Sequence, residues 1–575
     1  MLHPLTVVLL IILLLAAVTV APAKYPDDLP APEKEMAGTV DPWGLPFSDA
    51  LRRFEGRFTT RAEARFAVGL THDLVKVWPN KYWFRGDSAL SAAAAPQPLR
   101  ADTILAAAGE TQAFQIAVLP RLGAADTTYH LDVTLDNPAG ATARAFREYF
   151  VKTAPPAYPR FASDRWPDPL APESDVPVTG TDCGAFWVDI ALPANMPATT
   201  LEAIVKVTDG TETATIIVPI QVVPGLKLQP KAFPLVAWFR PKYGTKSLSP
   251  QQMLDMGGMV LQHHMQAMDQ LKGLFKADDT TAFDKAHDTL ARQGQNVFEL
   301  DSPRPNLKWD YSALYNHVKK QGWLDQALIY SNVDEPLTET FYKDNVPWYQ
   351  ETKAKYPGLR VFLASDYHEG MEKGCDIWMT DLSASGYQPE KMRDLKAPTL
   401  WNYYCHLPIH LQFRAPLTMA PNMEVDNEAL QHRLALWMSD YYGAKGVFIW
   451  AGFSAGGLKD DFWQTLELES KPGGYPYGGI HNGNNFLVYP PQSDGGPVLP
   501  SVRLKVLRAG MQDLALLHAC RELLAEGRIK GSKATKLKQL INPVPTLFTH
   551  PQYWDRLPET LLARRQQILE VLASR

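Results

Sequence analysis

Cysteine is scarce in this sequence, which has four cysteines in 575 residues. Cys183, Cys375, Cys405 and Cys520 are too few and too widely spaced for a disulfide framework, and none belongs to a C-x-x-C pair that could hold zinc or carry out redox chemistry. We therefore expect free thiols. The chain also lacks the glycine-rich nucleotide fingerprints, G-x-G-x-x-G after a strand and G-x-x-x-x-G-K, and no cofactor is expected.

An excess of one charge is also absent. The chain has 57 basic and 62 acidic residues, which gives a formal net charge of −5 at pH 7. No stripe of lysine and arginine could neutralise a row of phosphates, so the sequence argues against nucleic acid as a partner. By contrast, 15 Trp, 22 Tyr and 23 Phe supply many flat rings, which either line sugar sites or fill cores.

Long apolar runs are missing except at the start of the chain. Residues 5–20 form a nearly unbroken apolar run, and the small residues at 21–23 are typical of a signal-peptidase site. Residues 1–23 are therefore predicted to be a signal peptide. Because no lysine or arginine precedes the run, an uncleaved N-terminal membrane anchor is the alternative. The predicted location is secreted, periplasmic or cell-envelope.

An antiparallel β-sandwich is predicted over residues 62–230, behind a proline-rich and acidic linker at 24–61. The evidence is a period-two alternation of apolar residues, broken by Pro, Gly and Asn clusters. A proline-rich stretch at 153–177 is predicted to be a long loop. The alternating runs that predict strands are 73–78, 112–119, 129–135, 185–192, 201–207 and 214–223.

A (β/α)₈ TIM-type barrel is predicted over residues 231–530, followed by a C-terminal helical extension at 531–575. Short apolar runs alternate here with helical or irregular segments, as a parallel barrel requires. An amphipathic helix is expected over 501–525, and helices at 533–541 and 559–574 are expected to pack on the outside of the barrel. The predicted barrel strands are 235–240, 264–268, 296–300, 327–332, 360–366, 376–381, 399–404 and 446–450.

Two adjacent carboxylates, Asp334 and Glu335, follow the fourth predicted barrel strand, and Pro336 prevents a helix from starting at once. In a parallel barrel this position lies at the C-terminal mouth, where barrel enzymes keep their catalytic groups. The alternative is an acidic surface turn with no chemical role. We predict that Asp334 and Glu335 are catalytic because other polar and aromatic residues gather at the neighbouring strand ends.

Adjacent carboxylates cannot readily flank a glycosidic bond as the separated pair of most glycosidases does. They suit substrate-assisted catalysis, in which the 2-acetamido oxygen of the sugar attacks the anomeric carbon, an Asp orients the amide and a Glu acts as acid and base. A glycosidase for a sugar without an acetamide would need a second carboxylate across the mouth. Asp366 and Asp381 are the candidates, about 5 Å from Glu335 in a retaining enzyme or farther in an inverting one.

The remaining polar and aromatic residues at the predicted strand ends are expected to bind substrate. Metal binding is not expected, since Pro408 keeps His406 and His410 off a helix and no carboxylate completes a triad with His263 and His264. The predicted substrate-binding residues are Arg240, Asp366, Tyr367, Asp381, Trp401, Tyr403, Tyr404, Trp450 and Trp463. Arg503 and Arg508, on the predicted helix 501–525, are expected to pair with carboxylates or cap barrel segments.

Four segments together resemble glycoside hydrolase family 123 and its uncharacterised relatives: 334–336, 445–450, 485–490 and 500–514. The resemblance covers about 235–525, and the preceding sandwich also fits the layout of the family. It implies an exo-acting β-N-acetylgalactosaminidase, with Asp334 orienting the acetamide and Glu335 as acid and base. The chain departs from the family pattern at 482–485 and 511–514, where architectural rather than catalytic residues are expected.

The sequence thus predicts an exported retaining glycoside hydrolase that removes a terminal β-linked N-acetylhexosamine, with N-acetylgalactosamine as the expected sugar. Its partner would be a glycan or glycoconjugate. A different class of protein stays open, namely a non-catalytic glycan-binding or surface-assembly protein that uses the barrel as a scaffold. The presence of both Asp334 and Glu335 favours the enzyme.

Overall fold

A computed structural model describes most of the chain beyond its N-terminal segment. The predicted signal peptide or anchor and the predicted linker lie outside the described residues. The described residues are 65–77, 79, 98–120, 124–153, 165–179, 182–243, 245–304, 310–380, 382, 397–405, 420–425, 427–455, 463, 483, 486–493, 495–551, 553–555 and 557–574. No helix within these ranges is both long enough and apolar enough to cross a membrane.

Strands dominate the first half of the described chain, and helices dominate its end. The strands are β1 Phe66–His72, β2 Leu99–Arg100, β3 Ile104–Ala108, β4 Thr111–Pro120, β5 Thr127–Asp136, β6 Thr142–Lys152, β7 Arg165–Ala171, β8 Asp175–Val178, β9 Gly184–Ala191, β10 Thr200–Thr208, β11 Thr213–Lys227, β12 Leu235–Tyr243, β13 Lys246–Ser247, β14 Gln266–Ala267, β15 Phe298–Leu300, β16 Ala327–Tyr330, β17 Arg360–Ala364, β18 Ile377–Thr380, β19 Thr399–Tyr404, β20 Val447–Ala455, β21 Val488–Tyr489, β22 Leu499–Pro500, β23 Phe548–His550 and β24 Tyr553–Trp554. The α-helices are α1 Pro250–Gln262, α2 Thr281–Arg292, α3 Tyr311–Lys320, α4 Thr338–Thr340, α5 Val346–Lys355, α6 Ala429–Tyr441, α7 Val502–Ala525, α8 Gly531–Leu540 and α9 Pro558–Ala573. A π-helical turn, Phe341–Asn345, joins α4 to α5, and 3₁₀ turns lie at Pro230–Ala232 and Met371–Lys373.

Two sheets form the N-terminal part of the fold. The first has the order β1-β4-β9-β6-β7, and the second has the order β2-β11-β10-β5-β8 with β3 paired to β11. Apolar side chains of both sheets lie in one hydrophobic cluster, in which Phe114 and Ile116 of the first sheet join Val205 and Ile216 of the second. Alternation along each strand supplies this shared core, as the sequence pattern indicated.

Two predictions for this region are wrong. Residues 73–77, predicted as a strand, form a turn after β1, because Asp73 pairs with Arg433 and the Lys76 ammonium donates to the carbonyl of Val425. The predicted loop 153–177 contains β7 and the start of β8. Both strands carry proline and both lie at a sheet edge, where a missing backbone N–H costs no ladder hydrogen bond.

A curled sheet of parallel strands forms the second part, and all eight predicted barrel strands are present in it. Its order is β13-β12-β20-β19-β18-β17-β16-β15, in which the short β13 runs antiparallel to β12, and β14 also pairs with β12. The strands β14 and β15 stand at the two ends of the parallel set. Between them, the backbone N–H of Glu299 in β15 donates to the carbonyl of Met268, just after β14, at 2.7 Å. That single bond is not a ladder, so the closed (β/α)₈ barrel stays a prediction.

The concave side of this curled sheet holds one apolar cluster to which strands from β12 to β20 contribute. Alternate residues point inward, as the two-residue period of a strand requires. Most of these inward residues are buried, and Trp238, Tyr403 and Trp450 are partly exposed. The cluster contains Val236, Met268, Val297, Leu328, Tyr330, Phe362, Ala364, Ile377, Met379, Trp401 and Phe448, with Trp238, Tyr403 and Trp450 packed against it.

Helix α7 joins the two parts of the fold through buried ion pairs. The Arg503 guanidinium, which has no exposed surface, pairs with Asp168 of β7 at 2.7 Å, and Arg508 pairs with Asp189 of β9 at 2.6 Å. The expectation that both arginines pair with carboxylates is confirmed. The predicted amphipathic character is wrong for the first half of this helix, where Arg503, Lys505, Arg508 and Asp513 are all buried.

Helix α9 packs on the N-terminal sheets, whereas the sequence predicted a position on the outside of the barrel. The Arg565 guanidinium pairs with the buried carboxylate of Glu110 and also donates to Asp513 of α7 at 2.9 Å. The side chain of Gln566 accepts from the backbone N–H of Leu105 in β3. Helix α9 therefore contacts both β3 of the N-terminal sheets and α7, the helix that joins these sheets to the parallel sheet.

Candidate functional site

The predicted catalytic pair lies in a tight corner directly after β16. The hydroxyl of Tyr330, the last residue of that strand, donates to Oδ1 of Asp334 at 2.5 Å. Just after the strand, the Ser331 hydroxyl donates to Oδ1 of Asn345, whose amide donates to the carbonyl of Gly374 at 3.0 Å. Ser331 and Asn345 are fully or almost fully buried, so the base of the corner is held by satisfied polar groups.

Glu335 occupies a backbone conformation that side chains rarely adopt. Its φ of +42° lies in the left-handed region, which costs a non-glycine residue free energy. Such a conformation persists only where contacts with the surrounding structure offset that cost. The next residue provides such an anchor, because the carbonyl of Pro336 lies 3.0 Å from Nε2 of the buried His368. His368 in turn stacks on Phe341 with ring centroids 4.6 Å apart. These contacts hold the backbone next to Glu335 in place.

Two inward-facing tyrosines lie near these carboxylates, whose own residues are exposed. Burial and then the negative charge of Asp334 raise the pKa of Tyr330 far above its usual value, so the residue acts as a hydrogen-bond donor. Burial also raises the pKa of Tyr403, with Cys405 and then Glu335 adding to the effect. Tyr403 therefore lies within electrostatic reach of Glu335, and its role in substrate binding stays a prediction.

A second polar cluster is centred on the buried carboxylate of Glu299 in β15. The indole N–H of Trp238 donates to Oε2 of Glu299, and the Lys272 ammonium lies 2.7 Å from Oε1 of the same carboxylate. The Trp238 ring meets the ring of Tyr330 edge to face, with centroids 5.3 Å apart. This chain of contacts runs from Lys272 to Tyr330, whose hydroxyl donates to Asp334.

Asp269, two residues after β14, belongs to the same cluster. Its Oδ1 accepts the backbone N–H of Phe239 at 2.6 Å. Burial and the nearby charge of Glu299 raise the pKa of Asp269 to about 7. This carboxyl group therefore changes its protonation state near neutral pH, at the same edge of the sheet as Asp334.

Several predicted substrate-binding residues lie on the exposed rim at this edge. Arg240 in β12 is exposed, with its guanidinium 5.9 Å from the centre of the Trp238 ring. Asp366 and Tyr367 follow β17, and Tyr367 meets Trp378 edge to face with centroids 5.6 Å apart. Their roles stay predictions, and Asp381 lies outside the described residues.

Trp450, in β20, is partly exposed and packs against the inward cluster. Three other predicted residues lie in packed surroundings that the structure does not connect to the carboxylates. The hydroxyl of Tyr404 donates to the carbonyl of Ala435 in α6 at 3.0 Å, so its ring faces away from the concave side. Trp401 is 4% exposed and packs among the inward residues. The Trp463 indole donates to the carbonyl of Pro490 at 3.1 Å.

Tyr330 and Trp238 are the residues that sequence reasoning missed. Both were assigned to strands, and two-residue alternation puts Tyr330 on the same face as Leu328 and Trp238 on the same face as Val236. That signal shows which residues point inward, but it cannot show which inward residue stands next to a carboxylate. In the ranges that the structure describes, no three His, Cys, Asp or Glu residues lie close enough to hold a metal ion.

Comparison with known proteins agrees with this geometry. Residues 275–520 match the family model described as the Glycoside hydrolase 123 catalytic domain. These residues form a glycoside hydrolase family 123 domain. The match includes the Asp334/Glu335 corner and the strands from β15 to β20, and it confirms the predicted resemblance. A search of curated proteins found no match.

Solved structures similar to the chain include a family 123 glycoside hydrolase from Clostridium perfringens, described in connection with glycolipid glycan hydrolysis. It is 12% identical, has a TM-score of 0.64, and the alignment covers 89% of this chain and 99% of that one. The β-glucuronidase of Parabacteroides merdae is 8% identical with a TM-score of 0.25, over 68% of this chain and 50% of that one. The first likeness shows that the family 123 domain and the sheets before it share the fold of the Clostridium perfringens protein.

Proposed function

We propose that this protein is an exported retaining glycoside hydrolase that removes a terminal β-linked N-acetylhexosamine, with N-acetylgalactosamine as the expected sugar. The observation that carries the proposal is the Asp334/Glu335 corner at the carboxyl ends of the parallel strands, with one carboxylate oxygen held by Tyr330. The family 123 domain supports glycosidase chemistry at this corner. A closed (β/α)₈ barrel, also proposed, would place all strand ends around one mouth.

The proposed role of Asp334 follows from how its two oxygens are used. Tyr330 donates to Oδ1, and no donor among the described residues reaches Oδ2. An ionised carboxylate with one oxygen held and one available can accept the N–H of a 2-acetamido group. That hydrogen bond aligns the acetamide carbonyl oxygen for attack on the anomeric carbon.

In the first step, the acetamide oxygen forms a bond to the anomeric carbon while the bond from that carbon to the leaving oxygen breaks. The protonated carboxyl of Glu335 gives its proton to the leaving oxygen. In the second step, the Glu335 carboxylate takes a proton from water, whose oxygen attacks the anomeric carbon and reopens the oxazolinium ring. Two displacements at the same carbon retain its configuration.

The proposed substrates are glycans of glycolipids or other glycoconjugates, by analogy with the Clostridium perfringens neighbour. The rim beside the catalytic pair offers apolar surface to an aglycone. Leu337, two residues after Glu335, is 80% exposed, and Tyr367 after β17 is 36% exposed. Tyr342, which is 45% exposed, donates through its hydroxyl to the carbonyl of Glu369 in the same loop as Tyr367.

The test measures release of nitrophenol from the β-linked N-acetylgalactosaminide, N-acetylglucosaminide and galactoside. The intact protein is compared with Asp334→Asn, Glu335→Gln and Asp366→Asn, the last of which tests the alternative second carboxylate. Glu351→Gln is the control, because Glu351 is an exposed carboxylate of α5 that pairs with Lys355. We expect turnover of an acetamido sugar, loss of that turnover in the first two variants, and retention of most of it in the control. Chromatography or NMR of the first product should show the β-anomer.

Each contrary outcome removes a defined part of the proposal. Turnover of the plain galactoside at a comparable rate removes the acetamide from the mechanism. Loss of activity in Asp366→Asn, with activity kept in Asp334→Asn, assigns the second carboxylate role to Asp366. Absence of turnover for all three sugars in the intact, folded protein contradicts the enzyme and favours a glycan-binding protein.

A further inference from the structure

Four aromatic rings close a cycle on the concave side of the parallel sheet. Trp238 of β12 meets Tyr330 of β16 edge to face, with ring centroids 5.3 Å apart, and it meets Phe448 of β20 in the same way at 4.9 Å. Phe362 of β17 completes the cycle, because its ring centroid lies 5.0 Å from that of Tyr330 and 5.8 Å from that of Phe448. The cycle therefore joins the neighbouring strands β12 and β20 to the neighbouring strands β16 and β17.

The rings of this cycle carry two polar groups, and each of them donates to a carboxylate. The hydroxyl of Tyr330 donates to Oδ1 of Asp334 at 2.5 Å. The indole N–H of Trp238 donates to Oε2 of Glu299. The two phenylalanine rings have no exposed surface, so the four rings have little room to move independently. The contacts thus link the carboxylate of Asp334 to that of Glu299.

Glu299 is buried, and both of its carboxylate oxygens have a donor. The Lys272 ammonium lies 2.7 Å from Oε1, while Oε2 accepts the N–H of Trp238. Burial raises the pKa of Glu299, and the positive charge of Lys272 opposes that rise. A buried ion pair contributes little net stability compared with apolar side chains of similar volume, so stability alone does not account for this carboxylate. Its geometry does fix the orientation of the indole, which has a single donor.

We propose that Glu299 is a positioning residue for Asp334 and acts through Trp238 and Tyr330. The inference rests on the proposed function, in which the Asp334 carboxylate aligns the acetamide of the substrate. Glu299 holds the indole of Trp238 against the ring of Tyr330, which directs the Tyr330 hydroxyl at Oδ1 of Asp334. Without that acceptor the indole is free to turn, and the Tyr330 hydroxyl moves away from Asp334. A displacement of about 1 Å in such a group can lower a rate about a hundredfold.

A purely structural role for Glu299 is the alternative, in which the carboxylate only joins β15 to β12 and to the segment after β14 that carries Lys272. Both roles predict that a change at Glu299 lowers the stability of the protein. They differ in catalysis, because a positioning residue affects turnover only while the Tyr330 hydroxyl is present. A double-mutant cycle between Glu299 and Tyr330 separates the two roles, since independent effects add and coupled effects do not.

The experiment measures kcat and KM of the full chain on whichever nitrophenyl sugar the intact protein hydrolyses best. Glu299→Gln leaves one acceptor oxygen where two donors stand, so either Trp238 or Lys272 loses its partner. We expect kcat to fall about tenfold and KM to change by less than about threefold, because alignment is lost rather than a substrate contact. In the Tyr330→Phe background the same change should lower kcat by less than about twofold. Trp238→Phe, which keeps a ring but removes the N–H, should give the same pattern.

Asp189→Asn is the matched control, because Asp189 is also a buried carboxylate that accepts an indole N–H, from Trp187 at 2.7 Å. It pairs with Lys505 and Arg508 and lies in β9, in the first N-terminal sheet. Asp189→Asn should lower the unfolding midpoint but change kcat by less than about twofold. Unfolding midpoints also verify that every other variant is folded.

Equal fold losses of kcat from Glu299→Gln in both backgrounds overturn the proposal in favour of the structural role. An unchanged kcat overturns it as well, whether or not KM rises. If Glu299→Gln does not fold, Trp238→Phe in the same two backgrounds decides by the same criteria. Absence of turnover by the intact, folded protein contradicts the proposed function itself and removes this inference with it, whereas the other contrary outcomes overturn the inference alone.

Discussion

Glu148 is expected to lower the stability of the folded protein at neutral pH, and Glu148→Gln should remove that effect. The residue lies in β6 and is 1% exposed, and neither carboxylate oxygen has a hydrogen-bond partner within the described structure. Burying a carboxylate charge without a partner costs a large free energy, so the carboxyl group of Glu148 stays protonated. Burial raises the pKa of Glu148 to about 8. Glutamine has nearly the same shape as the protonated acid and does not titrate.

The size of the effect follows from the two pKa values, about 8 when folded against 4.5 for the ordinary side chain. Between these values the folded state binds one proton more than the unfolded state, so stability falls as pH rises, by about 1.4 kcal/mol per pH unit. At pH 7 the accumulated loss is about 3 kcal/mol. Glu148→Gln should therefore match the unmodified protein near about pH 4.5 and exceed it by about 3 kcal/mol at about pH 7.

Urea unfolding at a series of pH values, followed by tryptophan fluorescence, measures this difference. Glu351→Gln is the control, because Glu351 is an exposed carboxylate that pairs with Lys355 one helical turn away. That change should alter the free energy of unfolding by less than about 1 kcal/mol at any pH. A stability difference between Glu148→Gln and the unmodified protein that stays constant from about pH 5 to about pH 8 would refute the reasoning.

Tyr330→Phe removes the hydroxyl that donates to Asp334 and should lower kcat/KM on the preferred nitrophenyl sugar about ten- to hundredfold, since such a bond contributes about 1.5 to 3 kcal/mol. An unchanged kcat/KM would contradict the role given to Asp334. Asp168→Asn leaves the fully buried guanidinium of Arg503 without its counter-charge and should destabilise the protein by about 3 to 5 kcal/mol, measured as the shift in urea unfolding. A loss under about 1 kcal/mol would show that the carbonyls of Met423 and Gly483, which also accept from Arg503, suffice to hold its charge.

Much of the Asp334/Glu335 corner could be predicted from the sequence because its signals are local. An apolar run that ends in adjacent carboxylates and a proline specifies a strand followed by a polar turn, and Asp334 and Glu335 lie where that pattern placed them. The partners of the pair could not be predicted in this way. Tyr330 looks like any inward strand residue, and the link from Glu299 through Trp238 joins strands that are 61 residues apart.

The burial of charged residues in helix α7 also could not be predicted from the sequence. Alternating charges in a helical stretch predict a solvent-facing stripe, because an isolated helix has no other place for them. Arg503, Lys505 and Asp513 are nevertheless buried, since strands and helices more than 50 residues away bring carboxylates and arginines against them. Helical periodicity determined that the segment is a helix, but not which of its faces meets water.

Local periodicity and composition thus determined the strands of the parallel sheet, the family resemblance and the position of the carboxylate pair. These features depend on residues within a few positions of one another, and backbone geometry imposes the same periods on every chain. Only the tertiary structure decided which groups contact Asp334 and which charges are buried. Those properties depend on contacts between distant segments, whose free energies are realised only when the sheets and helices pack together.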